Sequence, residues 1–410
     1  MPGDAPARGL FRLRVRCHLP FVLRLHRLDL TDFRNHESLT WRPGAPISVL
    51  CGPNGSGKTN LLEAISLLVP GRGLRGARAA DLPRRGGSGS WAAAGRFSTV
   101  LGEADIGTGT APEGGDRRVF RLDGATPRTQ MEIAHRAAAV WLTPRMDRLF
   151  QEGASGRRRF LDRLVWALEA GHAREIAAHD AAMAHRNRLL AEGRAEPVWL
   201  SGLEDAMARH GVAATAARMA LVRRLNEASA AGVAAGTFPA ALLGLVCPVA
   251  ERLAAAPALE VEDWSRAGLA AARARDAATG GASLGPHRAD MTLTDRDTRT
   301  EAALASTGQQ KTLLIGVILS HAHLIAETRG FAPLLLLDEP AAHLDAARRG
   351  ALFQALRDSP AQVIMTGTDA EIFAPLADHA AAWRIAENGA LAPVPGFSPA
   401  PPLSSARRAC

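Results

Sequence analysis

The stretch Ile47–Thr59, ISVLCGPNGSGKT, constrains this chain more than any other. It holds Gly52-x-x-x-x-Gly57-Lys58-Thr59, a glycine-rich loop with an apolar run before it (Ile47, Val49, Leu50) and a helical segment after it (Asn60–Ile65). Such a strand–loop–helix turns consecutive backbone N–H groups toward one point, where the helix N-terminus adds partial positive charge. Gly52, Gly55 and Gly57 permit the tight backbone and the close approach of phosphate oxygens, with Pro53, Asn54, Ser56 and Asn60 completing the loop. The spacing assigns Lys58 to the β- and γ-phosphates as a point charge and the Thr59 hydroxyl to Mg²⁺. A nucleotide-binding chain is implied. A chance glycine-rich turn would lack the flanking strand and helix.

Composition sharpens the reading of Lys58. Of 49 Lys+Arg, only Lys58 and Lys311 are lysine. A chain that uses arginine wherever a generic cation serves keeps lysine where a compact ammonium on a flexible stem is needed. The net charge of +8 is compatible with a nucleic-acid partner without requiring one. Cys17, Cys51, Cys247 and Cys410 form no C-x-x-C pair, which argues against a zinc site or a disulfide framework and fits a reducing cytoplasm. No apolar run reaches the roughly 18–20 residues that span a bilayer, so no membrane role is expected.

Residues 1–21 are Arg-rich and aperiodic, expected as a disordered extension or a mis-assigned start. Near-alternation from Val22 to Leu30 and a second strand, Glu37–Trp41, predict an antiparallel sheet beside the nucleotide site. Short strands follow at Phe97–Val100 and Val119–Leu122, separated by the Gly-rich stretch Gly102–Gly115, and again at 138–142. The expected organisation is α/β: a first head segment over 22–145, an inserted all-helical arm over 146–282, a second head segment over 283–392, and a Pro/Ala/Ser-rich tail over 393–410. Leu161, Leu164, Val165 and Leu168 set the helical spacing of the arm.

The second strong signal is LLLLDEPAAHLD, 334–345. Four leucines read as a strand buried on both faces. Asp338 at its end is placed to hold Mg²⁺ through water, and Glu339 to polarise the water attacking the γ-phosphate. Between the two motifs, Ser306-Thr307-Gly308-Gln309-Gln310-Lys311 opens an apolar helix (Thr312–Ala326), a second anion-binding helix end or a plain cap at Ser306. This segment resembles the signature motif of ABC-type ATPases, with Thr307 and Ala305 in place of a glycine and the leucine. In that class the motif meets the γ-phosphate bound to a partner subunit, so Ser306, Gly308 and Gln309 join the candidate nucleotide contacts.

The strand Ala361–Met365 ends in Thr366-Gly367-Thr368-Asp369 without the histidine usual in transporter ATPases, and the insert lacks the sustained heptads of SMC proteins. The segments LRLHRLDLTDFRNHESL, GPNGSGKTNLLEAISLL, GRGLR, TPRMDRLF…GRRRFLDRL, LGPHRADM, STGQQK, LLLLDEPAAHLD and MTGTD are similar to those of the RecF family, over roughly 22–390. The resemblance implies an ABC-type, SMC-like P-loop ATPase head that binds ATP and Mg²⁺. It further implies dimerisation head to head on ATP, duplex-DNA binding at gaps, and work with RecO and RecR to load a recombinase, with slow DNA-stimulated hydrolysis resetting the clamp. Expected DNA contacts are Arg157, Arg158 and Arg159 at the arm base with Arg72 and Arg75, each equally readable as a solvated or ion-paired group. Arg34 and Asn35 either line the nucleotide or serve a turn. Arg288 reads equally as a pairing partner of Asp290.

Overall fold

The structure, a computed structural model, describes residues 20–111, 117–193, 196–232, 238–386 and 389–397. The expected extension thus lies almost wholly outside the described residues, as do most of the tail and part of the break near Gly232–Pro239.

The head forms around one helix, Lys58–Leu67, buried on nearly all its length, including Glu63 and Ser66. A helix buried all round must lie between two layers. It packs on strands of two sheets, Leu334–Leu337 and Val363–Gly367 on one side, Arg24–Phe33 and Ala92–Thr99 on the other. The first sheet has six strands in the order Leu391–Pro393, Ala380–Ile385, Ile47–Cys51, Val363–Gly367, Leu334–Leu337 and Ala139–Leu142. All pairings are parallel except that of the first two strands. Among its inner strands Ile47–Cys51, Val363–Gly367 and Leu334–Leu337 are buried at every residue, and the last is an uninterrupted apolar run, as burial on both faces demands. The strands bearing the phosphate loop and Asp338 are separated by one neighbour, Val363–Gly367, so their carboxyl ends open on the same edge.

The second sheet is antiparallel, in the order His36–Trp41, Arg24–Phe33, Ala92–Thr99, Gly102–Thr110 and Arg118–Leu122. Here the expectation for Gly102–Gly115 is corrected. Its first half is a paired strand, and glycine is used for space: a Cβ at Gly109 would stand 2.5 Å from Trp91 O. At the amino end, Phe21–Val22 pairs in parallel with Phe331–Ala332, so Phe21 belongs to the fold and not to an extension. Pro393 likewise ends a strand instead of opening a tail.

The insert folds as helices Ala154–Leu168, His172–Glu192, Pro197–Ala230, Pro248–Leu253, Ala258–Ala271 and Arg273–Thr279. It is not helical throughout. Ala241–Val246 is a strand, antiparallel to Asp290–Asp295 in the returning chain. Six apolar residues carry no periodicity that separates strand from helix, and the partner that decides the matter lies outside the insert. Charge is buried inside the arm as well: Arg186 joins Glu204 and Asp276 at 3.0 and 2.9 Å and donates to Leu269 O, while Arg273 takes the other face of Glu204. At the arm's root, Arg218 clamps Asp162 through both oxygens at 2.7 and 2.8 Å and donates to Pro286 O, and His172 shares the same carboxylate.

Candidate nucleotide site

At Gly52 and Gly57 the glycine loop is held by contacts that leave no room for a side chain. Gly57 has φ +101°, and a Cβ there would lie 2.5 Å from Asn35 Nδ2. Asn35 Nδ2 donates to Ser56 O at 3.2 Å, and Asn60 Nδ2 donates to Asn35 Oδ1 at 2.7 Å. Asn35 therefore braces the loop from the neighbouring sheet. Arg34, at φ +56°, sits beside it but turns away: its guanidinium grips the buried Glu63 through two bonds of 2.8 and 2.7 Å. The Lys58 ammonium is buried and donates to Gly52 O and Pro53 O at 2.7 and 2.9 Å. Burial pulls its pKa below the usual lysine value, while Glu339 and Asp338 pull it back up. Ser56 Oγ is buried and, among the described residues, has no hydrogen-bond partner.

The two halves of the head meet at Asp338. Thr59 Oγ1 donates to Asp338 Oδ1 at 2.9 Å, and Thr366 Oγ1 donates to the same oxygen at 2.8 Å. Burial raises the Asp338 carboxyl above the ordinary carboxylate range, partly offset by those two donors. Asp338 disfavours its charge and Lys58 disfavours its own, a state that a cation at the first and an anion at the second would each relieve. Hydroxyl, carboxylate and ammonium form the hard-oxygen and cationic set that Mg²⁺ and phosphate require, and the orphan Ser56 hydroxyl adds a polar group beside them.

Glu339 follows in a left-handed backbone conformation, φ +50°, that costs a non-glycine residue about 1–2 kcal/mol, and Pro340 after it restricts it further. Its peptide is pinned at both ends. Glu339 N donates to Thr366 Oγ1 at 2.8 Å, and Lys311 Nζ donates to Glu339 O at 2.8 Å. Lys311 also pairs with Asp147 Oδ2 at 3.2 Å. Thr366 and Asp147 lie in the family-like segments MTGTD and TPRMDRLF, but the sequence assigned neither a role; the rarity of lysine was the signal that pointed to Lys311.

Ser306 and Gln309 cap the helix Thr307–Arg329 reciprocally: Gln309 Oε1 accepts from Ser306 N at 2.9 Å and Ser306 Oγ from Gln309 N at 3.4 Å. Gly308 presses on the turn after Pro340, where a Cβ would lie 2.9 Å from His343 O. Among the described residues no hydrogen bond joins Ser306–Gln309 to the glycine loop. This helix end is exposed, with Leu304 beside it 81% accessible.

The arginines divide. Arg157 binds Asp290 through both oxygens at 2.7 and 2.8 Å, so Asp290 pairs with Arg157 and not with Arg288, whose Nε donates to Ala282 O. Arg158 donates to Ala289 O, and Arg75 to Asn60 Oδ1 and Glu63. Arg72 and Arg159 are exposed and, among the described residues, make no hydrogen bond or ion pair.

Two half-sites drawn from either side of a helical insert and joined at Asp338 define a split ATPase head of the ABC and SMC class. The profile of the RecF/RecN/SMC N-terminal domain family matches residues 24–390. The DNA replication and repair protein RecF of Mesorhizobium japonicum is 46% identical over 365 residues, covering 88% of this chain and 96% of the relative. That of Rhizobium etli is 43% identical over 370 residues, covering 90% and 99%. Among solved structures, the recombination mediator protein RecF-ATPrS of the RecFOR pathway matches with TM-score 0.79 at 21% identity, covering 92% of this chain and 99% of that one. The RecF-ATP structure matches with TM-score 0.75 at 22% identity, covering 91% and 100%. The chain belongs to the RecF family.

Proposed function

We propose that this chain is an ATP-dependent DNA-binding factor of replication and repair that dimerises around nucleotide and is reset by hydrolysis. The observation that carries the reading is the convergence of Lys58, Thr59, Asp338 and Glu339 on the carboxyl edge of one parallel sheet. Gly52, Pro53, Asn54, Gly55, Ser56, Gly57 and Asn60 cradle the phosphates, and Lys58 meets the β- and γ-phosphates as a point charge. Thr59 and Asp338 are the residues that would hold Mg²⁺, which when bound neutralises charge on the phosphate oxygens. Glu339 accepts a proton from the attacking water as its oxygen bonds to the γ-phosphorus and the bond to the ADP oxygen breaks.

The exposed helix end at Ser306, Gly308 and Gln309 is open to a second copy of the chain. Its amides and positive dipole end favour a γ-phosphate seated on the partner's loop. Dimer stability then depends on the charge that hydrolysis removes. DNA contact falls to Arg72 and Arg159, which have no internal partner among the described residues, while Arg34, Arg75, Arg157 and Arg158 are engaged within the head and arm base. Binding through phosphates carries little sequence preference and a salt slope of about −0.9 in log K per phosphate neutralised. RecO, RecR and gapped DNA follow from the family as proposed partners, and the cytoplasm as the proposed compartment.

The test is solution mass of the wild type and of Lys58→Met with ATP and a gapped duplex. Wild type should dimerise and bind DNA only with ATP, and Lys58→Met should do neither. Glu339→Gln should trap the ATP-loaded dimer with turnover lowered at least about a hundredfold. A wild type that stays monomeric and free of DNA in every condition would sink the proposal.

A further inference from the structure

Lysine occurs at two positions in this chain, and both ammonium groups are buried at the same site. Lys58 donates to Gly52 O and Pro53 O in the glycine loop. Lys311, 1% exposed, donates to the backbone carbonyl of Glu339 at 2.8 Å and to Asp147 Oδ2 at 3.2 Å. The single ammonium joins three segments: the helix capped by Ser306, the turn after Glu339, and the turn Pro144–Arg148 that follows the strand neighbouring Leu334–Leu337.

We propose that Lys311 is a positioning residue for hydrolysis, fixing the carboxylate of Glu339 through its backbone carbonyl and tying that position to the helix that Ser306 caps. The inference rests on the reading of Glu339 as the group that activates water.

Glu339 is where such a device is needed. It is a non-glycine residue at φ +50° immediately before a proline, a conformation the local sequence does not favour. With its N–H bonded to Thr366 Oγ1 and its carbonyl to Lys311, rotation of either flanking peptide is blocked, so the side chain leaves the backbone in one direction. Lys311 lies on the first turns of the helix whose exposed end carries Ser306 and Gly308. A displacement of that end moves the ammonium, and with it the peptide of Glu339. Asp147 holds the ammonium from the opposite side; burial raises its carboxyl while Lys311 lowers it, and among the described residues its second oxygen has no partner. An arginine fork carries its donors in a plane on a longer arm, whereas one tetrahedral ammonium serves a carbonyl and a carboxylate on separate segments. That accounts for a lysine here in a chain otherwise committed to arginine.

The alternative role is plain: Lys311 merely neutralises Asp147. The double variant Lys311→Met/Asp147→Leu separates the two, because it removes both buried charges and leaves none uncompensated. We expect it to fold with a urea midpoint close to wild type and to bind ATP within about threefold of wild type, while kcat falls at least about tenfold, the scale on which small misplacements of reacting groups act. In a Glu339→Gln background the same pair should lower turnover no further, since both changes act through one carboxylate. Wild-type kcat in the double variant, or a multiplied loss in the Glu339→Gln background, overturns the proposal. Should the double variant not fold, Lys311→Arg is expected to give the same separation of kcat from ATP affinity, and wild-type kcat there overturns it equally. A wild-type chain without ATP hydrolysis, or Glu339→Gln hydrolysing at the wild-type rate, instead refutes the proposed function on which the inference stands.

Discussion

Thr366 is bonded from both sides. Its hydroxyl donates to Asp338 Oδ1 and accepts from Glu339 N–H, each at 2.8 Å. The residue sits on the strand between the two motif-bearing strands, so one hydroxyl links the acid that faces Thr59 to the peptide of the acid beside it. Thr366→Val preserves shape and β-branching but leaves Glu339 N–H without its acceptor and Asp338 with one donor fewer. An unsatisfied buried donor costs about 1–3 kcal/mol, so the urea midpoint should fall accordingly and ATP turnover with it, while Thr366→Ser stays near wild type. A valine variant as stable and as active as wild type would show that these two bonds contribute nothing. Asn35 belongs to the same scale. It was a candidate ligand in the sequence, and in the structure its side chain braces Ser56 and fills the space that a Cβ at Gly57 would need.

At the scale of elements, what the sequence revealed was what local physics determines. The phosphate loop was legible because strand, glycines and helix are contiguous, and Leu334–Leu337 because burial on both faces leaves an apolar run. What stayed hidden were pairings across the chain. Lys311 reaches Asp147 across 164 positions, and Ala241–Val246 became a strand only because Asp290–Asp295 returned beside it. The arm's buried charges were hidden for the same reason, since arginines at helical spacing read as a solvated face. Arg186 is fully buried and satisfies Glu204, Asp276 and Leu269 O, joining His172–Glu192 to three later segments. Removing one member of such a network strands a charge and costs about 3–5 kcal/mol. Arg186→Met should therefore lower unfolding free energy by that amount in a urea titration, whereas Arg174→Ala, at a side chain 84% exposed, should change it by under about 0.5 kcal/mol. Equal effects would mean that the arm does not depend on its internal ion pairs.

For the whole molecule, the seam between head and arm carries a proton-sensitive group. His321 lies on the head helix Thr307–Arg329 and its Nε2 pairs at 2.9 Å with Leu164 O, on the first arm helix. Burial pushes its pKa down to about 3, and burial likewise pushes His287, at the turn where the arm returns, down to about 4. Both pKa values are depressed in the folded state, so below pH 6.5 the unfolded chain binds protons that the folded chain refuses. Stability is then lost as pH falls from about 6.5 toward 4, at about 1.4 kcal/mol per pH unit for His321 and less for the partly solvated His287. The raised carboxyls of Asp338 and Asp147 act in the opposite sense, because a folded state that binds protons more readily gains stability as they are taken up. Their contribution opposes that of the histidines as pH falls through their raised values, and the comparison with a His321 variant isolates the histidine's share. Urea midpoints should accordingly drop between pH 7.5 and 5.5. His321→Gln, which retains an amide donor for Leu164 O but cannot titrate, should drop less. If wild type and His321→Gln lose stability in parallel across that interval, the junction histidine is not the group responsible, and the acid sensitivity of the head must arise from elsewhere in the chain.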